Sequence, residues 1–169
     1  MRNQAASNMA LGGIMAALAV VIMCLGGLIP VATFVCPMVC MILLGIVRVR
    51  TSDRVAWGWY GAVAILGFLL GPDKEAAAVF AFLGYYPIIK PKLDKLPFKW
   101  PVKIAYFNVV VLVMYWILLH IFGMAELVQE FSEMGFWMTA LTLLLGNVTF
   151  LMLDRLLMPG LQFRRKHGK

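Results

Sequence analysis

Six runs of apolar residues dominate this sequence and restrict the folds open to it. They cover residues 9–29, 31–47, 55–70, 76–89, 102–122 and 135–153. A helix needs about 20 mostly apolar residues to cross a bilayer. The first, fifth and sixth runs meet that length, the second and third lie at its lower limit, and the fourth is shorter and contains Pro87. We predict an all-α, polytopic integral membrane protein whose residues 1–169 form a single transmembrane domain.

The composition argues against an ordinary soluble domain. The chain is 63% hydrophobic and 14% charged, whereas soluble domains are typically about 45–50% apolar and about 25% charged. A soluble fold of this size could not bury so much apolar surface, but a bilayer solvates it. The net charge of +7 raises the question of nucleic acid. Because the basic residues flank the apolar runs, we expect lipid headgroups as their partners and no nucleic acid.

The distribution of Lys and Arg residues predicts six crossings. If all six runs cross and the N-terminus is cytoplasmic, Lys74 is the one member of the 15 Lys and Arg residues that lies outside. That asymmetry follows the positive-inside rule, and it disappears if the fourth run does not cross. We therefore predict about six spans, the fourth short, tilted or broken. Both termini are cytoplasmic in this prediction, and the protein is a multi-pass protein of a bacterial plasma membrane.

Three shorter segments also carry predictions. Residues 87–101 hold four prolines and four lysines, which indicates a stiff, basic cytoplasmic loop. Residues 124–134 place apolar and acidic side chains on opposite faces, as in a short helix lying on the outer surface. Asp154 and Arg155, at the inner edge of the sixth run, are predicted to pair with each other.

Small residues line the first run. Gly12 and Ala16, and likewise Gly13 and Ala17, are four residues apart and so share a helix face. In lipid, missing side chains let another helix approach closely. Two interpretations remain open, namely packing within this protein and docking of a separate membrane subunit.

Polar residues within the runs are few, and intramembrane polar groups often mark a site or pathway. The candidates for a small-solute pocket that opens outward are Thr33, Trp116, His120, Trp137, Thr139 and Asn147. The alternative is that the polar residues of the spans, Asn108 among them, form hydrogen bonds between helices.

The sequence offers little chemistry for catalysis or metal binding. Cys36 and Cys40 are one helical turn apart, and thiolates are soft ligands for copper or zinc. Pro37 between them is not a ligand, however, and buried cysteines usually behave as small hydrophobic residues. Phosphate-loop, H-E-x-x-H and G-x-S-x-G motifs are absent, and the chain has only two histidines. We predict no enzyme activity, no resident metal and no cofactor.

Residues 10–19, ALGGIMAALA, resemble the small-residue face found on the first helix of S components of energy-coupling factor (ECF) transporters. The resemblance also rests on six short helices in fewer than 200 residues. It implies binding of a vitamin, metal ion or other small solute in an outward pocket. It further implies docking through Gly12, Gly13, Ala16 and Ala17 onto a transmembrane coupling subunit that works with ATPase subunits. Glycines stand here where alanines are typical. The alternative function is a non-catalytic membrane scaffold or assembly factor that packs against a partner membrane protein.

Overall fold

In the computed structural model the chain is described at residues 2–26, 32–95, 99–120 and 125–157. Within these ranges, side chains are not described at residues 2–5, 32, 99, 119, 125–136, 138, 139 and 142. The described helices are α1 Arg2–Gly26, α2 Ala32–Arg50, α3 Asp53–Leu70, α4 Lys74–Leu83, α5 Tyr86–Leu93, α6 Lys99–His120 and α7 Ala125–Leu156. No strand occurs in the described ranges, so the all-α prediction is confirmed for them.

Three of these helices are long and apolar enough to cross a membrane. The qualifying segments are Ala6–Gly26 in α1, Thr33–Arg50 in α2 and Trp100–Leu118 in α6. They coincide with the first, second and fifth predicted runs. Helices α3 and α7 contain the third and sixth runs. The predicted residues 27–29, 31 and 121–122 lie outside the described part of the chain.

The fourth predicted run is divided into two helices. Helix α4 ends at Leu83, and the Gly84 N–H closes it by donating to the Phe80 carbonyl at 2.7 Å. Helix α5 restarts at Tyr86, with Pro87 in its first turn. Proline has no N–H to continue the preceding ladder, but it is tolerated in a first turn. The prediction of a broken fourth segment agrees with this geometry.

Two predictions about connecting segments are wrong. Residues 87–101 are not a loop throughout, because α5 continues through Pro91 to Leu93 and α6 begins at Lys99. Residues 125–134 are not a separate surface helix but the first turns of α7, which runs for 32 residues without interruption. No proline follows Ala125 in α7, and a glycine in a helix interior costs only about 1 kcal/mol. Residue 124 lies outside the described part.

Side-chain contacts at one end of the bundle join the starts and ends of several helices. Thr33 Oγ1, in the first turn of α2, donates to Asp73 Oδ2 at 2.7 Å. Asp73 also caps α4 by accepting from the Ala76 N–H. Tyr115, near the end of α6, donates to Glu75 at 2.9 Å. We call this the acidic end.

The opposite end collects the other helix termini. Arg48, near the end of α2, donates to the Pro87 carbonyl of α5 at 2.7 Å. Lys103, near the start of α6, lies 2.8 Å from Asp154 near the end of α7. We call this the basic end. Successive passes between the two ends therefore alternate in direction, and α4 and α5 together make one pass.

Helix α1 is held in the bundle by contacts to its backbone. It packs against α2 and α3. The indole N–H of Trp59 on α3 donates to the Gly12 carbonyl at 3.1 Å. The Cys40 thiol on α2 contacts the Ala19 carbonyl at 3.5 Å. Close approach of this kind requires small residues on the inner side of α1.

We expect Gly84→Ala to destabilise the protein by about 1–3 kcal/mol, since overpacking has costs of that order. A Cβ at Gly84 would overlap the Phe80 carbonyl oxygen and approach two Phe80 ring carbons to 3.0 Å. Unfolding by denaturant in detergent, followed by circular dichroism, measures the change.

The matched control is Gly58→Ala on α3, where an added Cβ meets no atom within 4 Å. Alanine is favoured over glycine in a helix interior by about 0.5–1 kcal/mol. Gly58→Ala is therefore expected to be neutral or stabilising. Equal effects of the two substitutions would contradict the described break between α4 and α5.

Candidate functional site

The most unusual feature of the structure is a cluster of ionisable side chains at the basic end. We call it the charge cluster, and it consists of Tyr86, Lys90, Asp94, Lys103 and Asp154. Lys90 and Asp154 are both 0% exposed, and Lys103 is 3% exposed. Charged residues are almost never so fully buried unless they are paired.

Asp154 is the centre of the charge cluster. Its carboxylate accepts from the Lys90 ammonium, from the Tyr86 hydroxyl at 2.5 Å and from the Lys103 ammonium at 2.8 Å. Lys90 also donates to the Asp154 backbone carbonyl at 2.9 Å. Asp94 completes the group, 2.6 Å from Lys103 and 3.9 Å from Lys90.

The local structure explains how these groups meet. Tyr86 and Lys90 are four residues apart on α5, so they share a face. Lys103 lies in the second turn of α6, and Asp154 lies in the last turn of α7. Because α6 and α7 are antiparallel, the start of one lies beside the end of the other. The break before α5 then brings the polar face of α5 against α6 and α7.

Two ammonium groups and two carboxylates make the charge cluster neutral overall. Each buried charge therefore has an opposite charge in contact, which is the condition for burying it at acceptable cost. With every member engaged, the cluster is best understood as a clamp that joins α5, α6 and α7.

Arg48 extends this clamp to α2. Its Nη1 donates to the Pro87 carbonyl at 2.7 Å, and its Nε donates to Asp53 at 2.9 Å. The Arg48 side chain is 8% exposed and that of Asp53 is 57% exposed. The contact with α5 is consequently buried, whereas the ion pair is screened by solvent.

The predicted pairing of Asp154 with Arg155 is wrong. Neighbouring helical residues point in directions about 100° apart, and Asp154 points inward to the charge cluster. Arg155 is exposed, and its guanidinium carbon lies 5.8 Å from the centre of the Trp100 ring.

The four predicted docking residues divide between two sides of α1. Gly12 is buried where Trp59 contacts its carbonyl, and Ala16 packs against the core. Gly13 and Ala17 are exposed. A Cβ added at Gly13 would meet no atom within 4 Å. The structure thus uses one pair for internal packing and leaves the other on the surface.

Two of the predicted pocket residues are engaged with partners other than one another. Thr33 donates to Asp73 at the acidic end. The side-chain amides of Asn147 and Asn108 bond reciprocally, at 3.1 and 3.2 Å, and join α6 to α7. Asn147 therefore forms the interhelical hydrogen bond that the sequence analysis gave as the alternative to a role in a solute pocket.

The other pocket candidates whose side chains are described are exposed. Trp116 and His120 lie one turn apart on α6, both exposed, with their rings stacked at 5.1 Å. Trp137 on α7 is 84% exposed. The side chain of Thr139 lies outside the described part.

A groove of about 320 Å³ opens on the surface between α3 and α4. We call it the apolar groove, and its lining residues are Ala64, Ile65, Phe68, Leu69 and Ala81. None of the predicted pocket residues lines it. In the sequence the groove is marked only by Ala64 and Ala81 among larger apolar residues. That pattern is too common to predict a groove.

All three cysteines are free thiols, and Cys36 and Cys40 are buried. Among the side chains that the structure describes, no group of three His, Cys, Asp or Glu residues is placed to hold a metal ion. Pro37 lies buried inside an uninterrupted α2.

No protein-family model, no curated protein and no solved structure matches this chain.

We expect Asp154→Leu to lower the free energy of unfolding by about 3–5 kcal/mol, because it leaves buried ammonium groups without their main partner. The double variant Lys90→Met/Asp154→Leu removes the central pair together. It should be less destabilised than the sum of its two single variants, as a double-mutant cycle in detergent would show.

The exposed ion pair supplies the control. Asp53→Asn should cost no more than about 1 kcal/mol, since pairs with a solvent-exposed partner contribute little. Additive effects of Lys90→Met and Asp154→Leu would contradict the direct contact described here.

Proposed function

We propose that this protein is a small multi-pass membrane subunit of the S-component type, which binds a small solute outside the cell. It would dock through α1 on a transmembrane coupling subunit driven by partner ATPases. The single observation that carries the proposal is the exposed pair Gly13 and Ala17, a small-residue surface facing away from the bundle. The chain has no ATP-binding motif of its own, so active uptake would depend on an ion gradient or on partners of this kind.

The placement in the membrane follows from the two ends of the bundle. We propose six crossings, with α4 and α5 making the fourth together. The described basic residues Arg48, Arg50, Lys90 and Lys103 belong to the basic end, whereas Lys74 lies at the acidic end. By the positive-inside rule the basic end is cytoplasmic, and both termini lie on that side.

The small-residue surface lies in the middle third of α1. Gly13 lies 11 residues into α1, a helix that starts at the basic end. Ala10, Gly13 and Ala17 are all exposed and recur at spacings of three and four, which places them along one stripe. A partner helix can approach such a stripe to backbone contact, which is the geometry that strengthens helix association in lipid.

A specific observation favours the alternative, a non-transporting membrane scaffold. The side chains expected to line a pocket are partly used for structure, as the Thr33–Asp73 and Asn108–Asn147 bonds show. The stripe on α1 serves a scaffold equally well. The two functions differ in solute binding, so ligand-induced stabilisation separates them.

The proposed topology predicts the labelling of single cysteines in a variant whose three native cysteines are replaced by alanine. Pro72→Cys, exposed near the acidic end, should react with a membrane-impermeant maleimide in intact cells. Lys95→Cys, exposed near the basic end, should react only after permeabilisation. The reverse pattern would overturn the orientation, and labelling of both sites in intact cells would overturn the crossing of the fourth pass.

The proposed docking predicts that Gly13→Leu abolishes co-purification of membrane and ATPase partners from the native host. The leucine would fill the space a partner helix needs, while the monomer keeps its fold because no atom lies within 4 Å of the new Cβ. Thermal unfolding in detergent checks the fold.

Gly58→Leu is the matched control, since Gly58 is also exposed and open, on α3. It should leave co-purification unchanged. If no ATPase co-purifies even with the wild type, and no vitamin or metal ion raises its melting temperature, the scaffold function replaces the uptake function.

A further inference from the structure

The apolar groove has the shape and position of a lipid site. Between Ala64 and Leu69, α3 advances about 7.5 Å at 1.5 Å per residue. That is about half of one leaflet's hydrocarbon layer. The groove is therefore long enough for the upper part of one acyl chain. Its lining is almost wholly apolar, and it opens to the side of the bundle.

A cation lies against one wall of this groove. The Lys74 ammonium is 5.5 Å from the centre of the Phe68 ring, which forms one groove wall. It donates to the Phe68 carbonyl at 2.7 Å and to the Gly71 carbonyl at 3.0 Å. An ammonium has three N–H donors, so one remains for an anionic oxygen.

The position of Lys74 has a structural purpose as well, because its two bonds cap the last carbonyls of α3. Capping alone does not explain the groove beside it. Ala64 and Ala81 leave a concavity that larger side chains would have filled, and its Phe68 wall contacts the only described Lys or Arg side chain of the acidic end. A charge and an apolar channel side by side match the two parts of a phospholipid.

The neighbouring charges favour a headgroup without excess negative charge. Asp73 and Glu75 flank Lys74 in sequence, and both are ionisable acids held at the same end. The three together carry a net charge of −1. A zwitterionic headgroup places a phosphate near Lys74 while its ammonium moderates the repulsion from the carboxylates.

We propose that the apolar groove and Lys74 form a binding site for a zwitterionic phospholipid, such as phosphatidylethanolamine. One acyl chain lies along Phe68 and Leu69, and the phosphate accepts from the Lys74 ammonium. The site rests on the membrane placement proposed above, with the acidic end outside, and not on solute uptake.

The test is native mass spectrometry of delipidated protein titrated with phosphatidylethanolamine or with monogalactosyldiacylglycerol of the same acyl chains. The galactolipid lacks the phosphate. The wild type should retain one phosphatidylethanolamine with a preference of about tenfold or more, because hydrogen bonds to charged groups are worth at least that factor. Lys74→Gln should remove the preference.

Groove variants test the acyl-chain part separately. Ala81→Leu should fill the groove and weaken retention of both lipids. If Ala81→Leu fails to fold, Leu69→Ala tests the same point, because it removes a wall residue that is 69% exposed and so carries little of the fold. The control Lys95→Gln, an exposed basic side chain at the other end, should leave retention and preference unchanged.

Equal retention of the two lipids by the wild type would overturn the site, as would a preference that survives Lys74→Gln. If Leu69→Ala retains the two lipids as well as the wild type does, the acyl chain does not lie in the apolar groove. The cysteine labelling described above tests the membrane placement. If that placement is correct and the protein shows no lipid preference, the lipid site alone is wrong.

Discussion

The organisation of this protein depends on one buried carboxylate. Asp154 accepts hydrogen bonds from Tyr86 and Lys90 of α5 and from Lys103 of α6. An apolar side chain in its place would leave two buried ammonium groups with Asp94 as their one carboxylate. The position of α5, and with it the direction of the chain after the helix break, follows from the need to pair these ammonium groups.

The helix break and the charge cluster depend on each other. Pro87 prevents one continuous helix, so α5 is an eight-residue segment with little stability of its own. Lys90 and Arg48 attach that segment to α7 and α2 through buried bonds. At the other side of the break, the Tyr60 hydroxyl donates to the Ala81 carbonyl near the end of α4. The Ala81 and Pro87 carbonyls on the two sides of the break thus both accept from side chains of other helices.

Hydropathy located most of the described helices because it is a property of contiguous sequence. It could not predict the charge cluster, because Lys90 and Asp154 are 64 residues apart. The sequence predicts a loop around Lys90 and places Asp154 at the edge of the sixth apolar run. One signal was available: in an antiparallel α6–α7 pair, the register that joins Asn108 to Asn147 also brings Lys103 near Asp154. Two polar pairs whose residue numbers add to nearly the same sum indicate facing antiparallel helices, whereas either pair alone indicates nothing.

The site predictions were limited by the same difficulty. A small-residue pattern cannot say which residues face inward, and only the Trp59 bond to Gly12 separates the inner pair from the outer one. The position of a groove depends on which alanines of different helices meet, and Ala64 and Ala81 meet across two elements. Tertiary contacts decide which residues of α1 face inward and where the groove forms.

The arrangement of the charge cluster along the chain has a consequence for synthesis. The ribosome completes α5 and α6, with both ammonium groups, before it makes α7. During that interval Asp94 is the one carboxylate of the cluster available to Lys90 and Lys103. Before α7 is made, these three groups carry a net charge of +1. Asp154 on α7 cancels that charge, so the two ammonium groups of α5 and α6 can be buried as balanced pairs only after α7 has been made.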